Sequence, residues 1–439
     1  MHYSLGQFEH TAVKLFHVAT VFAALVVTPC AAQSSFVDSL ASQGKLGIPV
    51  QQAKDLESML GQLFIVNVDG FGYSGQLALE PEFSPMVERL QIGGVIPHYG
   101  STNYERIRRT NRALKGLTRL PLLVCCDIVK IKGANAVGSL GDGYVGGFLG
   151  RFKRLPDTEL ETLARLNAFV FTAIGVNVAL GPTVDTSTTE PRTGARARIV
   201  MAALKDFGLE PVLKHFPYLP AGANLHARSP DTRVPPDEAE KRFAVFQDLA
   251  EDTGIMMTTH LYDSLVDTSI VTFSSVWNLL LRARTGFGGL LMSDGLLMLR
   301  NYTDTRALAP GPMGPDLAGM DRTAAWAMRA ILAGHDFIIV EGSAAQTYRA
   351  FLGLLTVACG KTTRGKELKE RIESSYRKIA AWKQGKEAVL RREVDVPAAV
   401  IEMVIRVLPA DGSQLKSFQF DANVMEGLEP TLRAAQARP

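Results

Sequence analysis

Cysteine is scarce in this chain, four residues in 439, and tryptophan is scarcer still with three. Cys125 and Cys126 are adjacent, and Cys359 stands far from both. Neighbouring cysteines make a poor disulfide and none of the three has the spacing of a metal-ligand set, so all three read as small buried hydrophobes. An excess of one charge is also lacking, since 47 Lys and Arg face 44 Asp and Glu for a formal +3. That balance leaves no electrostatic footprint for nucleic acid or a membrane surface. GDGYVG at 141–146 spaces three glycines, but it lies well beyond the strand run ending at Asp127 and so cannot open a nucleotide-binding helix. There is no Walker lysine, zinc spacing or nucleophile-elbow serine, and the residues imply no cofactor and no metal.

What is present begins with an N-terminus unlike the rest. Basic and polar residues through Lys14 lead into LFHVATVFAALVV and then TPCAAQ. This is the layout of a secretory signal peptide over residues 1–32, with Cys30 and Ala32 as the small residues ahead of a cut before Gln33. A membrane anchor needs about 20 apolar residues, and this run is shorter. The expectation is an exported protein, periplasmic or secreted, with no membrane insertion once the leader is removed.

At 46% hydrophobic and 21% charged, the remaining length supports one large core. Eight apolar runs recur: GQLFIVNV (61–68), GGVIPHY (93–99), PLLVCCD (121–127), GVNVALGP (175–182), PVLKHFP (211–217), GIMMTTHLY (254–262), GGLLMSDG (288–295) and HDFIIVEG (335–342). They are continuous rather than alternating, as in strands buried on both faces of a parallel sheet. Helical segments separate them, among them SPMVERL, NYERIRRTNRALKGL, TELETLARLNAFVFTAI, DEAEKRFAVFQDLAEDT and TAAWAMRAILAG, several opened by Ser, Thr or Asp caps. The alternation predicts an α/β fold, a single (β/α)₈ TIM-type barrel over 33–390, with an open doubly wound sheet as the alternative. KELKERIESSYRKIAAWKQGKEAVLRR adds an amphipathic helix on the outside, and residues 391–439 form a tail without strong periodicity.

The C-terminal edges of the eight runs carry Asp69, His98, Asp127, Asp185, His215, His260, Asp294 and Glu341. Barrel enzymes build their sites on that face, so titratable groups are expected to gather there. For Asp69 and Glu341 the competing reading is a cap, and for His98 and His260 a hydrogen-bonded core position. Two stretches carry the most chemistry. MSDGLLM ends a nearly all-apolar strand on Asp294, where an uncompensated carboxylate is costly and must be paired or functional. KHFPYLPAGANLHARSPD, residues 214–231, ends another strand on Lys214 and His215 and continues into a Pro-rich stretch with Asn224 and His226. A carboxylate nucleophile, cationic donors for sugar hydroxyls and an imidazole to carry a proton are the set that retaining glycoside hydrolysis uses.

At these residues the chain resembles glycoside hydrolase family 3, in its bacterial β-N-acetylglucosaminidase branch, from about residue 55 to 385. IGGVIPHYGSTNYERIRRTNRAL is similar to the family's GGVILF segment and helix, LLVCCD to the strand ending in a substrate-binding Asp, and GVNVALGPTVD to GVNxxxAPVxD. PVLKHFP resembles the KHFPGHG segment, GFGGLLMSDGLLM the GFxGvvxSDdLxM segment, and ILAGHDFIIV with RIESSYRKIAAWK the closing strand and helix. The resemblance implies Asp294 as nucleophile, His226 as the histidine of the acid/base dyad, and Asp127, Lys214, His215 and Arg192 as residues that hold the sugar. Its substrate would be a carbohydrate ending in a β-linked N-acetylhexosamine or related β-sugar.

This chain departs from the pattern in the proton-donor segment. Asn224 stands where the dyad has Asp, and Tyr218, Leu219 and Pro220 replace GHG. An Asn can orient an imidazole but lends it no charge. Asp231 nearby is a possible substitute. Two functional readings follow: an exported retaining exo-glycosidase, or a degenerate barrel that binds a glycan or protein partner without turnover.

Overall fold

The computed structural model describes residues 35–67, 83–97, 104–126, 156–185, 192–218, 231–301, 320–407 and 422–436. Eight parallel strands close on themselves: β1 (Phe64–Asn67), β2 (Gly94–Ile96), β3 (Leu123–Cys126), β4 (Val178–Ala179), β5 (Glu210–Phe216), β6 (Ile255–Thr258), β7 (Leu290–Gly295) and β8 (Phe337–Val340). Closure is made by β1, which pairs with β2 through Ile65 and Gly94 and with β8 through Ile65 and Ile339. Seven strands lie within the apolar runs, and β5 begins one residue before its run. The barrel is therefore the sequence alternation made solid, and the open sheet is not formed.

The helices that follow give each strand its outer cover. In chain order they are α1 (Phe36–Ser42), α2 (Val50–Gln62), α3 (Phe83–Leu90), α4 (Tyr104–Lys115), α5 (Asp157–Ala173), α6 (Thr193–Asp206), α7 (Pro236–Leu249), α8 (Ser275–Thr285), α9 (Arg322–Ala333), α10 (Ala344–Ala358), α11 (Thr363–Gly385), α12 (Glu387–Leu390), α13 (Ala398–Val407) and α14 (Ala422–Ala435). Local chemistry sets several starts. Ser343 and Gln346 form a reciprocal capping box on α10, and Asp321 accepts from Thr323 and Ala324 N–H at the head of α9. Gly286 ends α8 in the left-handed conformation at φ 69°, which a residue with a side chain adopts only at a cost.

Helix α11 runs across the N-terminal end of the barrel and locks it. Lys383 is fully buried, donating to Gln62 Oε1 at 2.9 Å and to Gly93 O at 2.7 Å, and burial draws its amine down to about 7. Buried Asp336, just ahead of β8, accepts from Arg371, from Ser375 and from Leu291 N–H. Lys386 pairs with Glu210 at 2.6 Å, and Asn177 bonds Leu122 O, Leu390 O and Val124 N–H. The buried groups among these are hydrogen-bonded, as structural groups in a dry interior must be. Cys125, Cys126 and Cys359 are buried.

The stretch beyond residue 391 contains α13 and α14, both packed on α5, with α13 also touching α4. Ile401, Val404, Leu428 and Leu432 are buried there, and Arg165 on α5 reaches Glu429 at 3.2 Å. Their periodicity is short, and α14 carries Pro430 within it, so tertiary packing rather than propensity supplies the order. No helix among the described residues is long and apolar enough to cross a membrane.

Candidate active site at the carboxyl face of the barrel

Strand β5 prepares the site by what lies behind it. Phe216 stacks on Phe243 with ring centroids 5.5 Å apart, meets Phe246 edge-on at 5.4 Å and reaches Trp277 at 6.3 Å. Tyr218 extends the same cluster onto Phe243 and Trp277. Each aromatic pair adds about 0.5–1.5 kcal/mol beyond its buried area, so the backbone just after Lys214 and His215 is held firmly. The Lys214–His215 peptide is cis, as are Gly181–Pro182 and Phe216–Pro217.

The segment leaving β4 is laced to the same strand. Lys214 N–H donates to Pro182 O at 3.1 Å and Val184 N–H to Lys214 O at 2.8 Å, a parallel bridge between Thr183 and Lys214. This register brings Asp185 against His215. The Asp185 side chain is buried, and its Oδ2 lies 2.7 Å from His215 Nδ1. The other ring nitrogen, Nε2, faces Asp294 Oδ2 across 3.9 Å.

Asp294 closes the arrangement from β7. Its side chain is 20% exposed, so it faces the mouth rather than the packed interior. Gly295 N–H donates to Oδ1 at 2.7 Å. Burial on its own pushes this carboxyl up, but the charges of His215, His260 and Lys214 and the Gly295 N–H outweigh it and hold it below the usual carboxylate range. The strand ladder skips register between Met292 and Gly295, and the Ser293 hydroxyl covers the gap by accepting from Ile339 N–H at 3.2 Å and donating to Asp294 O at 2.9 Å. Such irregularities at barrel rims re-aim side chains.

Two other strand-end residues resolve differently. His260 is fully buried, with Nε2 at 2.8 Å from Gly295 O and Nδ1 at 2.6 Å from Thr272 Oγ1. It is a hydrogen-bonded core histidine that ties the end of β6 to the end of β7, and its charge still acts on Asp294. The Glu341 carboxylate packs directly on Gly295, where an added Cβ would meet its three terminal atoms at 2.6–2.9 Å. Arg192 stands at the start of α6 and pairs with Asp157 at the head of α5, sharing that carboxylate with buried Arg196.

Asp127, Asn224 and His226 lie outside the described residues, as do Asp69, His98, the glycine-rich 141–146 stretch and residues 1–34. The two ends of segment 219–230, which carries Asn224 and His226, are described. Buried Asp263 accepts from Tyr218 Oη at 2.9 Å, Thr232 Oγ1 at 3.2 Å, Val234 N–H at 2.9 Å and Leu265 N–H at 3.0 Å. One carboxylate thus clamps both ends of the segment, and burial, reinforced by that carboxylate, drives the Tyr218 hydroxyl well above the usual phenol range. Asp231 is committed in the same way, accepting from Ser264 N–H at 2.9 Å, Ser264 Oγ at 2.6 Å and Arg233 Nε at 2.8 Å. Burial would raise its carboxyl, but those bonds keep it below the usual range. A paired, ionised Asp231 is a poor stand-in for a proton donor.

The sequence reading named Lys214, His215 and Asp294, and the fold brings them together. Asp185 was visible only as one more polar strand end, because nothing local in TVDTS reveals that its partner is 30 residues away. Among the described residues, no cluster of three or more His, Cys, Asp or Glu side chains is placed to hold a metal ion.

An eight-stranded parallel barrel with an ionised carboxylate, a lysine and a carboxylate-bound histidine on its carboxyl face has the layout of a barrel enzyme. The chain belongs to glycosyl hydrolase family 3, whose N-terminal domain matches residues 55–381. Among solved structures it is similar to a fungal multi-domain family 3 β-N-acetylglucosaminidase, at 17% identity and a TM-score of 0.61 over 80% of this chain and 43% of that one. A family 3 β-N-acetylglucosaminidase from Paenibacillus sp. str. FPU-7 gives 19% identity and 0.60 over 80% of this chain and 68% of that one. The β-N-acetylhexosaminidase of Beutenbergia cavernae gives 20% and 0.56 over 75% and 98%. At these identities the likeness is one of fold. The chain spans less than half of the fungal protein. No curated protein sequence matches it.

Proposed function

We propose that this protein is an exported retaining exo-glycosidase that removes terminal β-linked N-acetylhexosamine, or a related β-sugar, from glycans or cell-wall fragments. The observation that carries the reading is Asp294, a partly exposed carboxylate at a barrel mouth held below the usual carboxylate range. A nucleophile must be ionised before it attacks, and its surroundings keep it so. In the first step an Asp294 oxygen bonds to the anomeric carbon as the glycosidic bond breaks, and the leaving oxygen takes a proton from His226. In the second, water gives a proton back to His226 and displaces the sugar from Asp294. Lys214 and His215, with Asp127 and Arg192, hold the sugar hydroxyls, and no cofactor takes part.

The test is release of aglycone from aryl β-N-acetylglucosaminide and aryl β-glucoside substrates, with Asp294→Asn as control. Equal rates for the two proteins would end the enzymatic reading in favour of a barrel that binds glycan or a protein partner without turnover, the reading Asn224 favours. A 2-deoxy-2-fluoro glycosyl fluoride should add one sugar mass to the Asp294 peptide. N-terminal sequencing of the exported form checks the leader, which should end before Gln33.

A further inference from the structure

Among the described residues, the other buried carboxylates are hydrogen-bonded at both oxygens. Asp263 collects four hydrogen bonds, and Asp336 takes two at one oxygen and one at the other. Asp185 is equally buried, yet among the described residues its single partner is His215, and its Oδ1 is left without one. A carboxylate withdrawn from water for one hydrogen bond is a net cost to the fold, so a packing role does not account for it. That one bond runs to the histidine facing Asp294.

We propose that Asp185 is a positioning residue, which fixes the imidazole of His215 so that Nε2 is turned to Asp294 and to the substrate. An ionised carboxylate can only accept, so the proton of the bond sits on His215 Nδ1, and Nε2 is the nitrogen presented to the mouth. The 3.9 Å between Nε2 and Asp294 Oδ2 is too long for a direct hydrogen bond. With the ring protonated, it is a gap that a sugar hydroxyl can bridge, accepting from Nε2–H and donating to Oδ2. Positive charge on the oriented ring also acts on Asp294, beside that of Lys214 on the same strand and His260 at the end of β6, and the Glu341 carboxylate at the end of β8 lies against Gly295. The rigidity comes from the Thr183–Lys214 bridge on one side and the Phe216 cluster on the other.

The kinetic part of this proposal rests on the glycosidase reading, and the spectroscopic part does not. Long-range ¹H–¹⁵N spectra of the histidine-labelled full chain, with His215 assigned through His215→Gln, report which ring nitrogen is protonated. The wild type should carry the proton on Nδ1 when the ring is neutral. In Asp185→Asn the carboxamide can donate to Nδ1, and the proton should move to Nε2. On aryl glycosides that variant should lose kcat by about 10- to 100-fold, the size seen when an orienting partner behind a histidine is removed. Asp185→Glu should recover part of the rate. A wild-type His215 with its proton on Nε2 would overturn the proposal whether or not the variant folds. The expected tautomers without any aglycone release would leave the Asp185–His215 couple standing and remove the glycosidase reading instead.

Discussion

His215 Nε2 and Asp294 Oδ2 face one another across 3.9 Å, although they come from different strands and lie 79 positions apart in sequence. That juxtaposition fixes the pH behaviour expected of the site. Asp294 is held below the usual carboxylate range, so it stays ionised as pH falls through the region where free carboxyls, near pH 4, take up a proton. The acid limb of kcat/KM that reports the nucleophile should lie below that region. Asp294→Asn should reduce kcat by roughly 1,000-fold or more without loss of folding. An acid limb above pH 5 that vanishes in Asp294→Asn would contradict this assignment.

Gly295 offers a way to disturb the site without disturbing the fold. An added methyl would press on the Glu341 carboxylate, the far end of a flexible side chain rather than backbone. Gly295→Ala is therefore expected to change unfolding free energy by under about 1 kcal/mol. The displaced carboxylate should still lower kcat/KM by about 10- to 100-fold, because small misplacements beside reacting groups are costly. Urea unfolding and aryl-glycoside kinetics on one preparation test both halves.

The clamp on segment 219–230 predicts unequal consequences for its two partners. Tyr218→Phe removes one hydrogen bond to a charged acceptor and should cost about 1.5–3 kcal/mol. Asp263→Ala removes the acceptor of four donors, of which only Thr232 Oγ1 keeps an alternative in Tyr262 O, and should cost about 3–5 kcal/mol. Because the clamped segment carries His226, both variants should also lose kcat at temperatures where they remain folded. Equal stability losses in thermal melts would show that the clamp acts through Tyr218 alone.

Stability should fall as solutions are acidified through the histidine range, for a reason remote from the site. His335 is fully buried, with Nε2 at 2.7 Å from Thr258 Oγ1 and Nδ1 at 3.0 Å from Ala330 O. Burial lowers it to about 4 from 6.5. The unfolded chain binds a proton at this residue below about pH 6.5 while the folded chain refuses it until about pH 4. Stability is therefore present in full above 6.5 and is lost as pH falls through that window, by about 3 kcal/mol at about 1.36 kcal/mol per unit. Chemical unfolding at pH 7.5 and 4.5 measures the loss, and His335→Gln should flatten it.

Much of the barrel was legible because its signal is local. PLLVCCD ends on Asp127 and GGLLMSDG carries Asp294 one residue from its end, and short continuous apolar runs of this kind fit strands buried on both faces with their last residues at a rim. The tail was not legible in the same way, since α13 and α14 owe their order to the face of α5 rather than to their own pattern. His260 was equally ambiguous, because THLYD does not say whether its ring meets substrate or Gly295 O.

The sequence by itself determined the eight strands, the rim on which titratable residues gather, and the family segments that single out Lys214, His215 and Asp294. It could do so because strand burial and strand ends are properties of short contiguous stretches. Only the tertiary structure decided how those residues are paired. It set Asp185 behind His215, committed Asp231 to Ser264 and Arg233, buried His260 between two strands, and laid Glu341 on Gly295. Each of these depends on register between strands and on the direction of a side chain, quantities that closing the barrel fixes and that no local stretch of residues contains.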